Sequence, residues 1–168
     1  LNNDLEIKKF LKTKNTLSYK KHSSLRTEDI GKKTSIIAKR KNVRDYINNQ
    51  QRLIVVKILK KYKGCVIDGR DIGSKVFKNA QIKLFIKVNT KIRAKRRFKQ
   101  LIAQGEKSIY SRIFKDLKLR DKTDINRKTS PLVIPKKAFI IDNSKTFNHT
   151  CSQINSLFNK KNLFNKKI

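Results

Sequence analysis

Two stretches of this 168-residue chain concentrate side chains able to handle phosphate: Asp68-Gly69-Arg70-Asp71-Ile72-Gly73 and Arg120-Asp121-Lys122-Thr123-Asp124-Ile125-Asn126-Arg127. A guanidinium fork binds two phosphate oxygens at once with fixed geometry, which a lysine ammonium does not do. Carboxylates set among the arginines repel a bare phosphate chain but accept hydrogen bonds from the polar remainder of a ligand. Glycine lets the backbone come close to such a ligand. The combination suits a phosphate-bearing polar molecule. An ordinary strand-to-turn junction with a surface salt bridge also accounts for the hexapeptide, and its six residues alone leave both readings open.

Elements on either side must hold these residues in place. Gly64-Cys65-Val66-Ile67 leads into the hexapeptide, and Ile82 to Val88 follows it. Both runs are short, β-branched and bounded by turn residues, which predicts strands. Ala138-Phe139-Ile140-Ile141-Asp142 reads as a third. In an open α/β sheet, polar residues just past a strand's carboxyl end fall in the ligand crevice. Between the strands the apolar spacing becomes helical. Thr27 is placed to cap a helix from Glu28, and Val43, Ile47, Ile54, Ile58 and Leu59 mark another over 43–62. A helix over 90–104 is capped by Thr90 and ended by Gly105, with Arg93, Arg96 and Arg97 on or near one face. Another covers 110–123 around Ile113 and Leu117. The last starts near 147, with Phe147, Cys151, Ile154 and Phe158 inward. Short strands are expected at 5–7 and 16–19, and a frayed Lys/Asn-rich end over 159–168. Strands alternating with helices predict a parallel sheet with crossover connections.

Composition sets limits. The length fits one domain, and 37% hydrophobic residues give a lean core. No run of about 18 apolar residues exists, so no membrane span is expected. Cys65 and Cys151 do not form a disulfide framework or a zinc pattern, and His22 and His149 are isolated, so no metal site is expected. Cys65, inside a predicted strand, is expected to be buried. A reducing cytoplasm is the simplest setting. The net charge of +32 has two readings: compositional drift from AT-rich codons, since Lys, Asn and Ile are all abundant, or selected polyanion binding. Non-specific RNA or DNA binding at low salt is expected under both.

The order DGRDIG, KLFIKV, RAKRRFKQL, RDKTDINR, SPL, AFIIDNS, with Leu25-Arg26-Thr27 and Ser35 to Arg44 upstream, resembles the bacterial cytidylate kinase family over roughly residues 20–158. The resemblance implies an α/β, P-loop nucleoside-monophosphate-kinase-like parallel sheet with flanking helices. Residues 1–44 would form part of the nucleoside-monophosphate-binding insert. Residues 45–158 would form the rest of the kinase core with a lid around 90–125, and 159–168 a basic tail. It implies a cytoplasmic monomer that transfers the γ-phosphoryl group of ATP to CMP or dCMP with Mg2+. Arg70 and Arg127 match the catalytic arginines that grip the acceptor phosphate. Arg44 and Asp71 match the pair that reads cytosine, and Ser35, Arg120 and Asp124 the ribose-binding set. Arg96 and Arg97, with Arg93, fall where lid arginines close over ATP. No residue matches a metal ligand.

The sequence departs from the family pattern in places. None of the five glycines begins G-x-x-x-x-G-K-[ST], the loop whose amides cradle ATP phosphates. The chain starts at Leu1 and contains no Met, so the expectation is the C-terminal portion of such a kinase, with the N-terminal strand and phosphate loop absent. Ser74 stands where Thr is common, Gln81 where Pro is usual, and the stretch between Arg44 and Asp68 is a few residues longer than usual. Two rivals remain at this stage: a basic nucleic-acid-binding protein, and an inactive kinase remnant. Asp68, Asp71 and Asp124 argue against the first, since each repels phosphate.

Overall fold

The computed structural model describes residues 28–38 and 40–160. The expected strands at 5–7 and 16–19, the cap Thr27 and the tail beyond 160 lie outside them. The described chain divides into two compact units. One holds the residues up to Ile72 together with Arg127–Ser130; the other holds Gly73–Asn126 and the residues from Pro131 onward.

Among the described residues, the first unit holds two helices, α1 (Glu28–Ile37) and α2 (Lys41–Leu59). Helix α2 keeps the near-helical apolar spacing read from the sequence, but its buried residues all lie in its first half, and Ile54 and Ile58 are half-buried. Val43 and Asn48 are buried, while Leu53, Val56 and Leu59 are exposed. Beyond α2 the structure corrects the sequence reading. Residues 64–69 run without regular structure, and no strand forms at 65–67. Val66 is fully exposed, and Cys65, expected to be buried, is exposed as well. A strand exists only when a neighbour accepts and donates its ladder bonds, and among the described residues this run has none. A single π-turn, Ile72–Val76, follows and was not foreseen.

The second unit contains β1 (Leu84–Lys87), α3 (Thr90–Ala103), α4 (Tyr110–Asn126), β2 (Phe139–Asp142) and α5 (Phe147–Lys160). The two strands pair in parallel, with Leu84 opposite Phe139 and Lys87 opposite Asp142. The predicted parallel sheet is therefore present, as a two-stranded one among the described residues. Helices α3 and α4 make the crossover. They pack on Ala94, Leu101 and Ile113, with Phe98, Phe114 and Leu117 against them. Asn89, not Thr90, caps α3: its side chain accepts from the Lys91 amide at 2.9 Å. Thr90 is already helical, and its hydroxyl donates to Asp121. Gly105 ends the helix at φ +77°, a left-handed geometry glycine adopts without a Cβ clash. The inward set of α5 also needs correction. Cys151, Ile154 and Phe158 are half-buried, but Phe147, the helix's first residue, is 79% exposed.

Burial is thin. No large side chain is fully buried among the described residues, and apolar Val66, Ile86 and Ile140 face solvent. Parallel strands are ordinarily covered on both faces, and the high positive charge opposes compaction. A polypeptide confined to these 168 residues is therefore expected to show no cooperative unfolding above about 45 °C, the lower end for ordinary domains. Circular dichroism during heating checks this. A sharp transition above that temperature would show that the buried set suffices.

Candidate functional site

In the first unit, chain segments far apart in sequence bring two oppositely charged side chains together. Arg44 lies in the first turns of α2, and Asp71 lies just before the π-turn. Arg44 Nη1 donates to Asp71 Oδ2 at 3.3 Å, and Nη2 donates to the Ala38 carbonyl at 3.0 Å. The two side chains are 12% and 8% exposed, so this is a nearly desolvated pair. Breaking such a pair leaves a buried charge uncompensated. Arg44 Nε is buried with no hydrogen-bond partner among the described residues. Buried polar groups are nearly always satisfied, so an open donor here points to a polar ligand.

Gly69 is tied to the local geometry. A Cβ at this position would lie 2.5 Å from Ile72 Cγ1. The glycine therefore makes room for the Ile72 side chain as the chain turns past Asp71. Arg70 is half-buried and Asp68 exposed. The same unit includes Arg127, whose Nε donates to the Ser130 carbonyl. Ser130 is buried at φ +52°, uncommon for a residue with a Cβ. Its hydroxyl oxygen is also buried with no hydrogen-bond partner among the described residues. Backbone held in sparsely populated regions clusters at ligand-binding sites. The sequence reading passed over Ser130 as a functional residue; a serine fixed by the following proline, three places after a key arginine, was the available signal. Ser35 lies on α1.

In the second unit, α4 carries Arg120 and Asp124. Their i, i+4 spacing makes them neighbours along one side of the helix. Asp124 is buried and Arg120 exposed. The Leu132 amide donates to the Asp124 carbonyl at 2.7 Å, tying the helix end to the Ser-Pro-Leu segment. Each of the three α3 arginines has a different partner. Arg93 Nη1 donates to both oxygens of Asp121, at 2.9 and 2.7 Å, joining α3 to α4. Arg96 donates to the Asn143 carbonyl at 2.8 Å, to Asn143 Oδ1 at 3.2 Å and to the Lys145 carbonyl at 2.7 Å. Arg97 donates to Gln100 at 3.1 Å. In the loop after β2, the Ser144 hydroxyl and amide hold the Asp142 carboxyl below the usual carboxylate range.

The structure thus joins Arg44 with Asp71 and sets Arg127 on Ser130 in one unit. Arg120, Asp124, Arg93, Arg96 and Arg97 belong to the other. Among the described residues no three His, Cys, Asp or Glu side chains gather as a metal-binding group.

The cytidylate kinase family model matches residues 3–160. A protein of Azorhizobium caulinodans named cytidylate kinase is 39% identical over 121 residues, covering 72% of this chain and 57% of that relative. A Rickettsia akari protein of the same name is 40% identical over 124 residues, 74% of this chain and 55% of the relative. A third, from Neisseria meningitidis, is 37% identical over 137 residues, 81% of this chain and 61% of the relative. The chain spans between 55% and 61% of the length of these three relatives.

Proposed function

The chain belongs to the cytidylate kinase family, and on that premise we propose that the native protein carrying it transfers the γ-phosphoryl group of ATP to CMP or dCMP, giving ADP and CDP or dCDP. The observation that carries this reading is the nearly buried Arg44–Asp71 pair with its open Nε donor. A carboxylate accepts from the exocyclic amine of cytosine, and a guanidinium donates to the ring nitrogen and carbonyl. Uracil offers a carbonyl and an N–H in those places, which would set acceptor against acceptor and donor against donor in a desolvated site.

The remaining roles follow in the same terms. Arg70 and Arg127 neutralise the acceptor phosphate, and phosphoryl transfer depends mostly on such positioning and charge neutralisation. Ser35, Arg120 and Asp124 serve the ribose. The segment up to Arg44, including α1, serves as part of the acceptor-nucleotide insert, and α3 with α4 as the lid. Arg96 and Arg97 serve ATP; Arg96 would first have to release the Asn143 and Lys145 carbonyls it now holds. Magnesium enters with ATP. The described residues supply no clustered ligand set for it. Among the described residues no helix is long and apolar enough to cross a membrane, and the reading takes the protein as a cytoplasmic monomer.

The test is nucleoside diphosphate formation by the native protein with ATP and each of CMP, dCMP, UMP and AMP. CDP and dCDP are expected, with UMP and AMP poorly used. Absence of CDP formation would overturn the reading. A polypeptide confined to these 168 residues, in which no G-x-x-x-x-G-K-[ST] occurs, is expected to give no CDP above a blank, because a loop of that kind supplies much of the electrostatic stabilisation.

A further inference from the structure

The α3–α4 hairpin separates its charges by sign in a way the kinase chemistry does not use. Helix α3 contains no Asp or Glu. Lys91, Lys95 and Lys99 stand exposed along it at i, i+4 and i+8, a row about 12 Å long at 1.5 Å per residue. On α4, Lys115, Lys118 and Lys122 stand exposed at i, i+3 and i+7, a row of about 10 Å. The acids of α4 all lie off that surface. Asp124 is buried, Asp121 is taken up by Arg93, and Asp116 is half-buried. Like charges at i, i+3 and i+4 destabilise a helix, and here no exposed acid on either helix offsets them. An external polyanion would.

We propose that the two lysine rows of the α3–α4 hairpin form a docking surface for the sugar–phosphate backbone of a nucleic-acid strand. Recognition is by charge and independent of base. Phe98, Tyr110 and Phe114, the hairpin's aromatic rings, pack on one another, so the surface lacks the row of open rings on which bases stack. A membrane fits less well: an interfacial helix needs a continuous apolar face, whereas exposed Leu119 and Ile125 stand singly among cations on α4. RNA and DNA share the phosphate chemistry, so both belong in the test.

The experiment follows fluorescence anisotropy of labelled 20-residue oligo-U and oligo-dT with the native protein between 50 and 200 mM KCl. Both should bind with similar affinity and a steep salt dependence. Changing Lys91, Lys95, Lys99, Lys115, Lys118 and Lys122 to Gln together should reduce the slope of log K against log salt by about 4, at roughly 0.7 per contact on a single strand. A control changes six exposed lysines elsewhere to Gln: Lys41, Lys57, Lys60, Lys63, Lys78 and Lys136. It should retain most of the slope. Equal losses in the two sextuple variants would mean diffuse charge and overturn the proposal. So would absence of binding, or binding to phosphatidylserine vesicles without binding to either oligonucleotide. A second readout needs no variant. Bound oligonucleotide should protect the six hairpin lysines from acetylation in the wild-type protein, and unchanged acetylation at saturating oligonucleotide would equally overturn it.

Discussion

Arg127→Ala in the native protein is expected to lower kcat/KM for CMP by about 100-fold or more. The figure follows from losing about 3 kcal/mol, within the range for truncating one partner of a charge-assisted contact, at 1.4 kcal/mol per tenfold. On the proposed reading, the Arg127 guanidinium, whose Nε donates to the Ser130 carbonyl, is one of the two that meet the acceptor phosphate. Without it, that charge is met by one arginine fewer. Arg70→Ala should behave alike, for the same reason. Arg127→Lys should recover little, since an ammonium keeps the charge and loses the fork. The anchoring contact also bears on folding, because Ser130 sits at φ +52°. Thermal unfolding of each variant separates the two effects: turnover should fall while the transition temperature moves little. Near-normal turnover in Arg127→Ala would place the acceptor phosphate elsewhere.

Asp71→Asn should divide the pyrimidines. Efficiency with CMP is expected to drop about 100-fold, while UMP stays within about threefold of its low starting value, because only cytosine presents the amine that the carboxylate accepts. The amide keeps the shape and one acceptor but loses the charge that faces Arg44. With both side chains nearly buried, the arginine is left uncompensated, and a stability loss of about 3 kcal/mol is expected beside the change in specificity. The ratio of CMP to UMP efficiency is the deciding quantity, since a destabilised but correctly built site loses both substrates together. Equal losses would remove Asp71 from base reading.

The helices were legible residue by residue. Val43, Ile47, Ile54 and Ile58 marked α2, the α3 residues ended where Gly105 required, and Ile113 and Leu117 marked α4. A helix closes its hydrogen bonds inside its own segment, so spacing and caps suffice to place it. Even there the cap was misplaced by one residue, because Asn89 and Thr90 can both cap and only the structure shows which side chain reaches the Lys91 amide. Strands were legible only in part. Leu84–Lys87 and Phe139–Asp142 formed as read because each found the other, while Cys65-Val66-Ile67 found no neighbour among the described residues, and Cys65 and Val66 stayed exposed.

At the candidate site, the sequence by itself determined which chemistry was available: arginines in number, a few carboxylates among them, and an order of motifs that resembles one family. Tertiary structure alone decided the pairings. It set Arg44 against Asp71 across 27 positions, gave Arg93 to Asp121 rather than leaving it open for a nucleotide, and turned Arg96 onto the loop after β2. A charge can meet any opposite charge that folding brings within reach, and spacing along the chain says nothing of that distance.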